Sequence, residues 1–277
     1  MNDIKKSLKE QGIRPKKALG QNFLINKGVL GQVLKAANIN GKDMVLEIGP
    51  GAGILTLELA RAAKKVIAIE KDGQMAEILK NSLNGIKNVE IIKGDVLKIK
   101  EEDLKIKESF KLVANLPYYI TSPIIRKFLE CKNQPQEMVL MVQKEVGQRI
   151  TAKPPKMSLL AISVQFYAKA EIISYVSKKC FWPVPKVDSA LIKITPLQKR
   201  NDLPDFDEKF FEVVRAGFSQ PRKQLGNNLK NKLKLDKETL EKLLIKTNVR
   251  TQSRAESLNL SDWLEITNFL YNENPKK

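Results

Sequence analysis

Histidine is absent from this 277-residue chain, and cysteine occurs only twice, at Cys131 and Cys180. Without histidine, the chain lacks the commonest general base and the commonest metal ligand in proteins. The two cysteines lie far apart and form no CxxC pair, so neither a zinc site nor a disulfide framework is predicted. No apolar run approaches the length of a membrane span, and the first residues lack the apolar core of a signal peptide. The sequence therefore predicts a cytoplasmic protein whose chemistry uses neither imidazole nor a metal ion.

Acidic residues are few relative to basic ones. Lysine and arginine total 49 against 31 aspartates and glutamates, a formal net charge of +18. An excess of this size indicates a polyanionic partner such as a nucleic acid. A generally lysine-rich proteome would give the same excess, so the charge alone does not decide between the two explanations.

Strand-like and helix-like segments alternate through the first two thirds of the chain. Their predicted order is a strand at 43–49, a helix at 54–65, a strand at 66–70, a helix at 73–85, a strand at 88–95, a strand from 110, a helix at 123–132, a strand leading into a helix at 136–146, a helix and a strand within 158–177, and a last strand at 189–197. This alternation predicts an α/β fold of Rossmann type with a parallel, doubly wound sheet.

The composition changes near residue 200. Residues 199–207 are polar and contain a proline, which is typical of a linker, and the segments after them have helical periodicity without strand-like runs. We therefore predict an α/β domain at 1–200 and a small all-helical domain at 201–277. Asp236 and Ser261 stand where helix N-caps are expected.

A glycine-rich turn, EIGPGAG at 47–53, joins the first predicted strand to the first helix. Such a turn lets the backbone approach a ligand that lies over the carboxyl ends of the strands. A dinucleotide fingerprint starting at Gly49 requires glycine where this chain has Ile54, and the Gly-Lys-Ser/Thr of a phosphate-binding loop is absent. Glu70 ends the second strand, where it is placed to accept hydrogen bonds from ribose hydroxyls, and Asp95 ends the third, where it is placed to meet an adenine amino group.

Each of these three features taken alone is also typical of an ordinary turn that binds no ligand. Together, at the ends of successive strands, they favour a nucleoside site. A nucleoside cofactor bound without a phosphate loop suggests S-adenosylmethionine.

The segment Asn115-Leu116-Pro117-Tyr118 follows the fourth strand and fits a methyl acceptor of a particular kind. The exocyclic amine of adenine is a poor nucleophile because its lone pair is delocalised into the ring. Two acceptors, the side-chain oxygen of Asn115 and the carbonyl of Leu116, would hold both N–H groups and turn the lone pair toward the methyl group. Tyr118 would stack on the base. A strand end followed by a turn with core tyrosines would give the same pattern.

The chain resembles a known family in motifs that span nearly its whole length. These motifs are GQNFL (20–24), EIGPGAG (47–53), the acid Glu70, GD (94–95), NLPYYIT (115–121), FWPVPKVDSAL (181–191) and FSQPRKQLGNNL (218–229). By their order and content the chain is similar to the ribosomal RNA adenine dimethyltransferases. The resemblance implies S-adenosylmethionine-dependent dimethylation of two adjacent adenines in a hairpin loop near the 3′ end of small-subunit (16S) rRNA, within a pre-30S particle during ribosome biogenesis. A monomeric enzyme is expected.

The same resemblance implies two groups of site residues. The residues expected to line the cofactor site are Asn22, Leu24, Gly49, Glu70, Asp95 and Asn115. The residues expected to hold the target adenine are Asn115, Leu116, Tyr118 and Phe181, with the rings of Tyr118 and Phe181 on opposite faces of the base.

Basic residues near the motifs are expected to contact RNA phosphates, chiefly Lys186, Arg222 and Lys223. Two departures from the family pattern concern RNA docking more than methyl transfer. Pro221 stands where the family often has a further arginine, and residues 152–160 keep only part of the family's sequence in that region.

Two other interpretations stay open. The first is a methyltransferase of the antibiotic-resistance type, which modifies a large-subunit adenine with a similar glycine-rich motif and a similar Asn-Leu-Pro-Tyr segment. The long carboxyl-terminal helical segment argues against it. The second is a non-catalytic assembly or transcription factor on the same fold, against which the intact Glu70, Asp95 and Asn115 argue.

Overall fold

The structure is a computed structural model of the chain. It describes residues 2–10, 12–104, 106, 108–198 and 205–273. The chain forms two compact units. One comprises Met1–Gln148 and Ala168–Pro196, and the other comprises Arg149–Tyr167 and Leu197–Lys277.

The first unit contains a sheet and its covering helices. Its strands are β1 (Phe23–Leu24), β2 (Met44–Ile48), β3 (Lys65–Glu70), β4 (Val89–Lys93), β5 (Phe110–Asn115), β6 (Glu137–Gln143), β7 (Ala168–Val176), β8 (Phe181–Trp182) and β9 (Ser189–Pro196). The helices of residues 2–150 are α1 (Asn2–Glu10), α2 (Lys27–Ala37), α3 (Ile54–Ala62), α4 (Gly73–Ser82), α5 (Thr121–Glu130) and α6 (Lys144–Ile150). Short 3-10 helices lie at Lys17–Leu19, Glu102–Leu104, Tyr118–Ile120 and Lys178–Cys180.

Seven of these strands form one sheet in the order β4-β3-β2-β5-β6-β9-β7. The first five are parallel, and this part of the predicted doubly wound sheet is confirmed. The prediction of an all-parallel sheet is wrong for the other two, because β9 is antiparallel to both β6 and β7. Parallel neighbours need a long crossover, usually through a helix, whereas residues 177–188 join β7 to β9 without an α-helix.

The parallel strands β2, β3, β5 and β6 are almost wholly buried on both faces, as their near-continuous apolar sequences require, whereas β4 at the edge of the sheet is partly exposed. Val66, Ile67, Ala68 and Ile69 of β3, for example, are all at most 2% exposed. Helices α2 and α3 pack their apolar residues against one cluster of strand side chains that includes Val45, Val113 and Val139 in addition to Val66. This packing fixes the carboxyl ends of the strands at one edge of the sheet.

The second unit is helical. Its helices are α7 (Leu159–Tyr167), α8 (Phe206–Gly217), α9 (Leu225–Leu233), α10 (Lys237–Lys246) and α11 (Leu260–Asn268), with a 3-10 helix at Ala255–Ser257 and a π-helical turn at Phe269–Glu273. Its core surrounds the fully buried Trp263 and Phe210. A Cβ atom on Gly217 would lie 2.2 Å from the Trp263 ring, so only glycine permits α8 to approach α11 this closely.

The segment Arg149–Tyr167 lies in the helical unit, although the predicted division at residue 200 groups it with the sheet. The reason is packing: the Phe166 ring stacks on the Phe210 ring with centroids 4.2 Å apart, and Ala161 and Ile162 are buried in the same core. Residues 199–204 of the predicted linker lie outside the described residues.

One predicted helix cap is confirmed and the other is wrong. Asp236 caps α10 by accepting a hydrogen bond from the Thr239 amide. At α11 the cap is Asn259 rather than Ser261, because Asn259 and Asp262 each accept a hydrogen bond from the other's amide. This reciprocal pair satisfies two amide donors at the start of the helix, which Ser261 inside the first turn cannot do.

The first 42 residues contain elements that the sequence analysis left unassigned, namely α1, β1 and α2. Leu8 and Ile13 at the start of the chain pack with Phe23 and Ile25 in a small cluster. Within the described part of the chain, no helix has both the length and the apolar character that crossing a membrane demands.

Candidate active site

The glycine-rich turn lies between β2 and α3. Gly49 and Gly51 adopt φ angles of 68° and 55°, in the left-handed region that glycine tolerates best. A Cβ atom on Gly51 would lie 2.7 Å from the Phe23 ring, so glycine also allows β1 to approach the turn. The Gly49 amide donates to the Ile69 carbonyl at 2.9 Å, which fixes the turn beside the end of β3.

Glu70 ends β3 and is held by backbone groups on both sides. One carboxylate oxygen accepts from the Gly51 amide at 3.0 Å and the other from the Asp72 amide at 2.8 Å. Burial raises the pKa of Glu70 even though these two hydrogen bonds favour the charged form. A carboxylate offers about four acceptor positions, so Glu70 retains acceptor capacity for a ligand's hydroxyl groups.

Asp95 follows β4 and forms an ion pair that the sequence analysis missed. The Lys71 ammonium lies 2.9 Å from Oδ2 of Asp95, and the Leu97 amide donates to Oδ1 at 3.0 Å. The hydrogen bond from Lys71 holds the pKa of Asp95 below its usual range. Lys71 directly follows the acid that ends β3, and this position beside the next strand end is the signal that could have indicated the pair.

Asn115 ends β5, and its side-chain amide is oriented by the amino-terminal segment. Its Nδ2 donates to the Asn22 carbonyl at 2.9 Å, while Asn22 donates through its own Nδ2 to the Gly20 carbonyl at 3.1 Å. This donation leaves the side-chain oxygen of Asn115 without a hydrogen-bond partner among the described residues.

The segment before β1 is fastened beside the site by Asp72, a second contact that the sequence analysis missed. Lys16 Nζ lies 2.9 Å from each carboxylate oxygen of Asp72, and Gln21 donates to the same carboxylate at 3.3 Å. Asp72 also caps α4 through the Gln74 amide. One buried carboxylate therefore joins the amino-terminal segment to the end of β3.

All six residues expected to line the cofactor site surround a single cavity at the carboxyl edge of the sheet. These residues are Asn22, Leu24, Gly49, Glu70, Asp95 and Asn115. Tyr119 and Lys71, which the sequence analysis did not single out, lie in the same wall. The cavity therefore presents buried carboxylates, backbone amides of a glycine turn and apolar side chains, a donor and acceptor set that fits a nucleoside with a charged tail.

Glu47, the first residue of the glycine-rich motif, also lines this cavity. It is 1% exposed, and its Oε2 has no hydrogen-bond partner within the described ranges. Burial, with a further contribution from the charge of Glu70, raises the pKa of Glu47 to about 8. The described residues contain no group of three or more Cys, Asp or Glu side chains arranged to hold a metal ion.

The residues expected to hold the target adenine are less exposed. Leu116 and Phe181 are 2% and 1% exposed, and neither lines the cavity. Phe181 pairs with Leu24 between β8 and β1 and packs in the apolar cluster beneath the sheet edge. The Tyr118 hydroxyl lies 2.9 Å from that of Ser189, and burial raises the pKa of Tyr118. The structure thus brings Asn115 to the cavity and leaves the two aromatic rings in internal contacts.

The residues expected to contact RNA are exposed. Lys186 lies between β8 and β9 in the sheet unit. Arg222 and Lys223 lie in the turn before α9 in the helical unit. All three are free of the core and accessible to a polyanion.

Comparison with known proteins identifies the family of this chain. Residues 12–271 match the family described as "Ribosomal RNA adenine dimethylase". The ribosomal RNA small subunit methyltransferase A of Dehalococcoides mccartyi is 41% identical over 267 residues, which cover 96% of this chain and 92% of the relative. The protein of the same name from Geobacillus kaustophilus is 42% identical, with coverage of 96% and 94%.

Two solved structures are similar to this chain over most of its length. A dimethyladenosine transferase from Plasmodium falciparum is 30% identical, with a TM-score of 0.76 over 88% of this chain and 95% of that one. The 23S rRNA methyltransferase ErmE is 26% identical, with a TM-score of 0.74 over 89% of this chain and 98% of that one. With a match over residues 12–271 and relatives above 40% identity, this chain belongs to the ribosomal RNA adenine dimethylase family.

Proposed function

We propose that this chain dimethylates the exocyclic amines of two adjacent adenines in a hairpin loop near the 3′ end of small-subunit rRNA. As a member of its family, the chain is an S-adenosylmethionine-dependent rRNA adenine dimethyltransferase. Relatives named small subunit methyltransferase A support the choice of subunit. We further propose that it acts as a monomer on a pre-30S particle in the cytoplasm.

The proposed cofactor contacts follow from the groups that line the cavity. Glu70 would accept hydrogen bonds from the ribose hydroxyls, and Asp95 would accept one from the adenine amino group of the cofactor. Asn22, Leu24 and Gly49 would complete the wall. Bound S-adenosylmethionine would supply an electrophilic methyl group on its sulfonium centre. The residues present fit this cofactor because Glu70 keeps acceptor capacity while the turn and Asp72 hold it in place.

The observation that carries the proposed mechanism is the orientation of Asn115. Its Nδ2 donates to the Asn22 carbonyl, so the amide group is held in one orientation. Its oxygen then stays available to accept a hydrogen bond from the target amine. We propose that this oxygen and the Leu116 carbonyl hold the two N–H groups of adenine and direct its lone pair at the methyl group. The amine loses its proton after the methyl group has moved, so no strong base is needed.

Tyr118 and Phe181 are proposed to stack on opposite faces of the target base. The target adenine must leave its stack to reach a pocket at a strand end, which is easiest in a loop. In this structure Phe181 is 1% exposed, so the proposed sandwich requires its ring to become accessible when the base enters. Tyr118 is half-buried and needs a smaller change.

Lys186, Arg222 and Lys223 are proposed to position rRNA through its phosphates. If they do, the logarithm of rRNA affinity falls linearly with the logarithm of salt concentration, with about one unit of slope for each phosphate contact. The double substitution Arg222→Ala with Lys223→Ala is expected to reduce the slope by about two units and to leave S-adenosylmethionine affinity unchanged. Titrations at several salt concentrations measure this, and an unchanged slope would remove both residues from the interface.

A large-subunit target is the second candidate, because the 23S rRNA methyltransferase ErmE covers 89% of this chain with a TM-score of 0.74. Incubation with labelled S-adenosylmethionine and unmethylated small or large subunits, followed by digestion to nucleosides and mass spectrometry, distinguishes the two. We expect dimethyladenosine in small-subunit rRNA. Label only in the large subunit would select the second candidate, and cofactor binding without transfer would indicate a non-catalytic factor.

A further inference from the structure

An exposed aromatic ring lies at the carboxyl edge of the sheet, outside the cavity and outside the residues assigned above. Tyr175, next to the last residue of β7, is 54% exposed. The Lys144 ammonium lies 5.1 Å from the centre of its ring, a cation–π contact, and Gln148 Nε2 lies 3.4 Å from its hydroxyl. These contacts orient the ring while leaving more than half of the side chain accessible.

The strand pairing places Tyr175 at the same edge of the sheet as the residues proposed to hold the target adenine. Val176, the neighbour of Tyr175, pairs with Ser189 between β7 and β9. The Ser189 hydroxyl lies 2.9 Å from the Tyr118 hydroxyl. Tyr175 itself pairs with Ala190, so its ring lies on the opposite face of this strand pair from the Ser189 hydroxyl. The Tyr175 and Tyr118 rings therefore share the carboxyl edge of the sheet, within the sheet unit, but not the same face.

The surface around Tyr175 is basic. Lys178 and Lys179 follow β7 directly and are exposed, as are Lys144 and Lys186. The Asp188 carboxylate accepts from the Lys178 amide at 3.0 Å, and the Asp188 carbonyl accepts from the Lys144 amide at 3.0 Å. These two hydrogen bonds hold the lysine-bearing segments together beside the ring, where Lys144, Lys178, Lys179 and Lys186 outnumber the carboxylates of Glu145 and Asp188.

We propose that Tyr175 is a stacking platform for an unpaired nucleobase that flanks the target adenine in the rRNA, with Lys144 and Lys178 contacting the adjoining phosphates. The proposal rests on the proposed function. An aromatic side chain in a positively charged setting is the arrangement that binds single-stranded nucleic acid without reading its sequence. Removing the target adenine from its stack leaves its neighbour without a partner, and the Tyr175 ring would replace that partner.

The test compares Tyr175→Ala with Tyr175→Phe and with Ile173→Ala. Ile173 is a matched control because it is exposed on the same strand, at 43%, but has no ring. The probe is the unmethylated small ribosomal subunit, with affinity measured by titration and turnover measured by transfer of labelled methyl groups. Loss of one stacked base is expected to weaken binding by Tyr175→Ala about tenfold, with KM rising by a similar factor and kcat nearly unchanged.

Tyr175→Phe is expected to keep wild-type affinity because stacking needs the ring and not the hydroxyl, and Ile173→Ala is expected to do the same. Lys144→Gln should lower the salt slope by about one unit. Equal weakening by Tyr175→Ala and Tyr175→Phe, or by Tyr175→Ala and Ile173→Ala, overturns the platform. So does unchanged affinity in Tyr175→Ala while the wild type still dimethylates small-subunit adenines. If the wild type methylates no small-subunit adenine, the proposed function is refuted. The base that Tyr175 is proposed to bind is then refuted as well.

Discussion

The two halves of the sheet's carboxyl edge are stabilised by different kinds of contact. Around β2 and β3, the backbone holds the polar groups in place, as where the Gly51 and Asp72 amides donate to Glu70. Around β5 and β9, side chains contact one another: Tyr118 bonds to Ser189, and Phe181 is buried in the apolar cluster. The first half is therefore set for a ligand as it stands, whereas the second requires side chains to move.

This difference suits the two substrates proposed for the site. A small cofactor gains affinity when its partners need no rearrangement on binding. An RNA base arrives attached to a large polyanion, whose phosphate contacts can offset the cost of exposing an aromatic ring. Substitutions in the first half should therefore change cofactor affinity, and substitutions in the second should change the rate of methyl transfer or the handling of RNA.

Asn115 lines the cofactor cavity and is also proposed to hold the target adenine, so its replacement should have the largest effect. Asn115→Ala removes an oriented acceptor for the developing positive charge on the amine, a loss that typically lowers turnover by about 10²–10³. Binding of rRNA should change far less, because the phosphates supply most of that affinity. Single-turnover methyl transfer and rRNA titration measure the two effects. Full turnover in the variant would show that the amine is oriented by other groups.

Substitution of Glu70 tests whether its carboxylate, held by the Gly51 and Asp72 amides, binds the cofactor. Glu70→Ala should weaken S-adenosylmethionine binding by about 1.5–3 kcal/mol, the value of hydrogen bonds to a charged group. Glu70→Gln should weaken it less, because the amide oxygen can still accept from one of the two backbone amides. Calorimetry on the folded variants measures the dissociation constants. Equal affinity in all three proteins would place the ribose elsewhere.

Glu47 should make the stability of the first half depend on pH. Its folded-state pKa is about 8 against a usual 4.5, so the folded protein binds more protons than the unfolded chain between these values. The free energy of unfolding therefore falls as pH rises through this range. Glu47→Gln removes the cost of burying this charge. The free energy of unfolding of the variant should exceed that of the wild type by little near pH 4.5 and by more than about 1.4 kcal/mol near pH 8, because one pKa unit corresponds to about 1.4 kcal/mol.

Denaturant unfolding of the cofactor-free protein at several pH values measures this effect. Glu171→Gln offers a control, because it makes the same change of side chain at an exposed position. A pH-independent difference between Glu47→Gln and the wild type would mean that Glu47 is already charged in the folded protein.

Tyr118 should give the smallest effect. Tyr118→Phe keeps the ring for stacking and loses only the hydrogen bond to Ser189, which is worth about 0.5–1.5 kcal/mol of stability. Turnover should stay within a few-fold of the wild type. A double-mutant cycle with Ser189→Ala isolates the hydrogen bond. A large loss of turnover in Tyr118→Phe would give the hydroxyl a chemical role that stacking does not explain.

The order of elements from β2 to β9 could be predicted, with the exception of the two-residue strand β8, because each of the others has a strong local signal. Apolar runs of strand length end at Glu70, Asp95 and Asn115, and parallel strands necessarily bring those ends to one edge. The meeting of Gly49, Glu70, Asp95 and Asn115 at one cavity follows from this topology, whereas the place of Asn22 and Leu24 depends on the unpredicted strand β1.

What the sequence could not predict depends on contacts between distant segments. The direction of β9 is set by its neighbours β6 and β7, and local alternation is the same in either direction. The place of Arg149–Tyr167 in the helical unit depends on Phe166 meeting Phe210. The burial of Phe181 likewise depends on β8 pairing with β1, whose two residues are too short a run to recognise.

Because β7 runs toward the carboxyl edge and β9 runs away from it, residues 177–188 lie at that edge in a single connection. This connection carries Phe181 and Lys186 and ends at Ser189. Its β8 residues are fixed by pairing with β1, whereas its exposed residues, such as Lys186, can change without altering the register of the parallel strands. Contact of this connection with RNA can therefore be altered through its exposed residues while the polar groups around β2 and β3 keep their places.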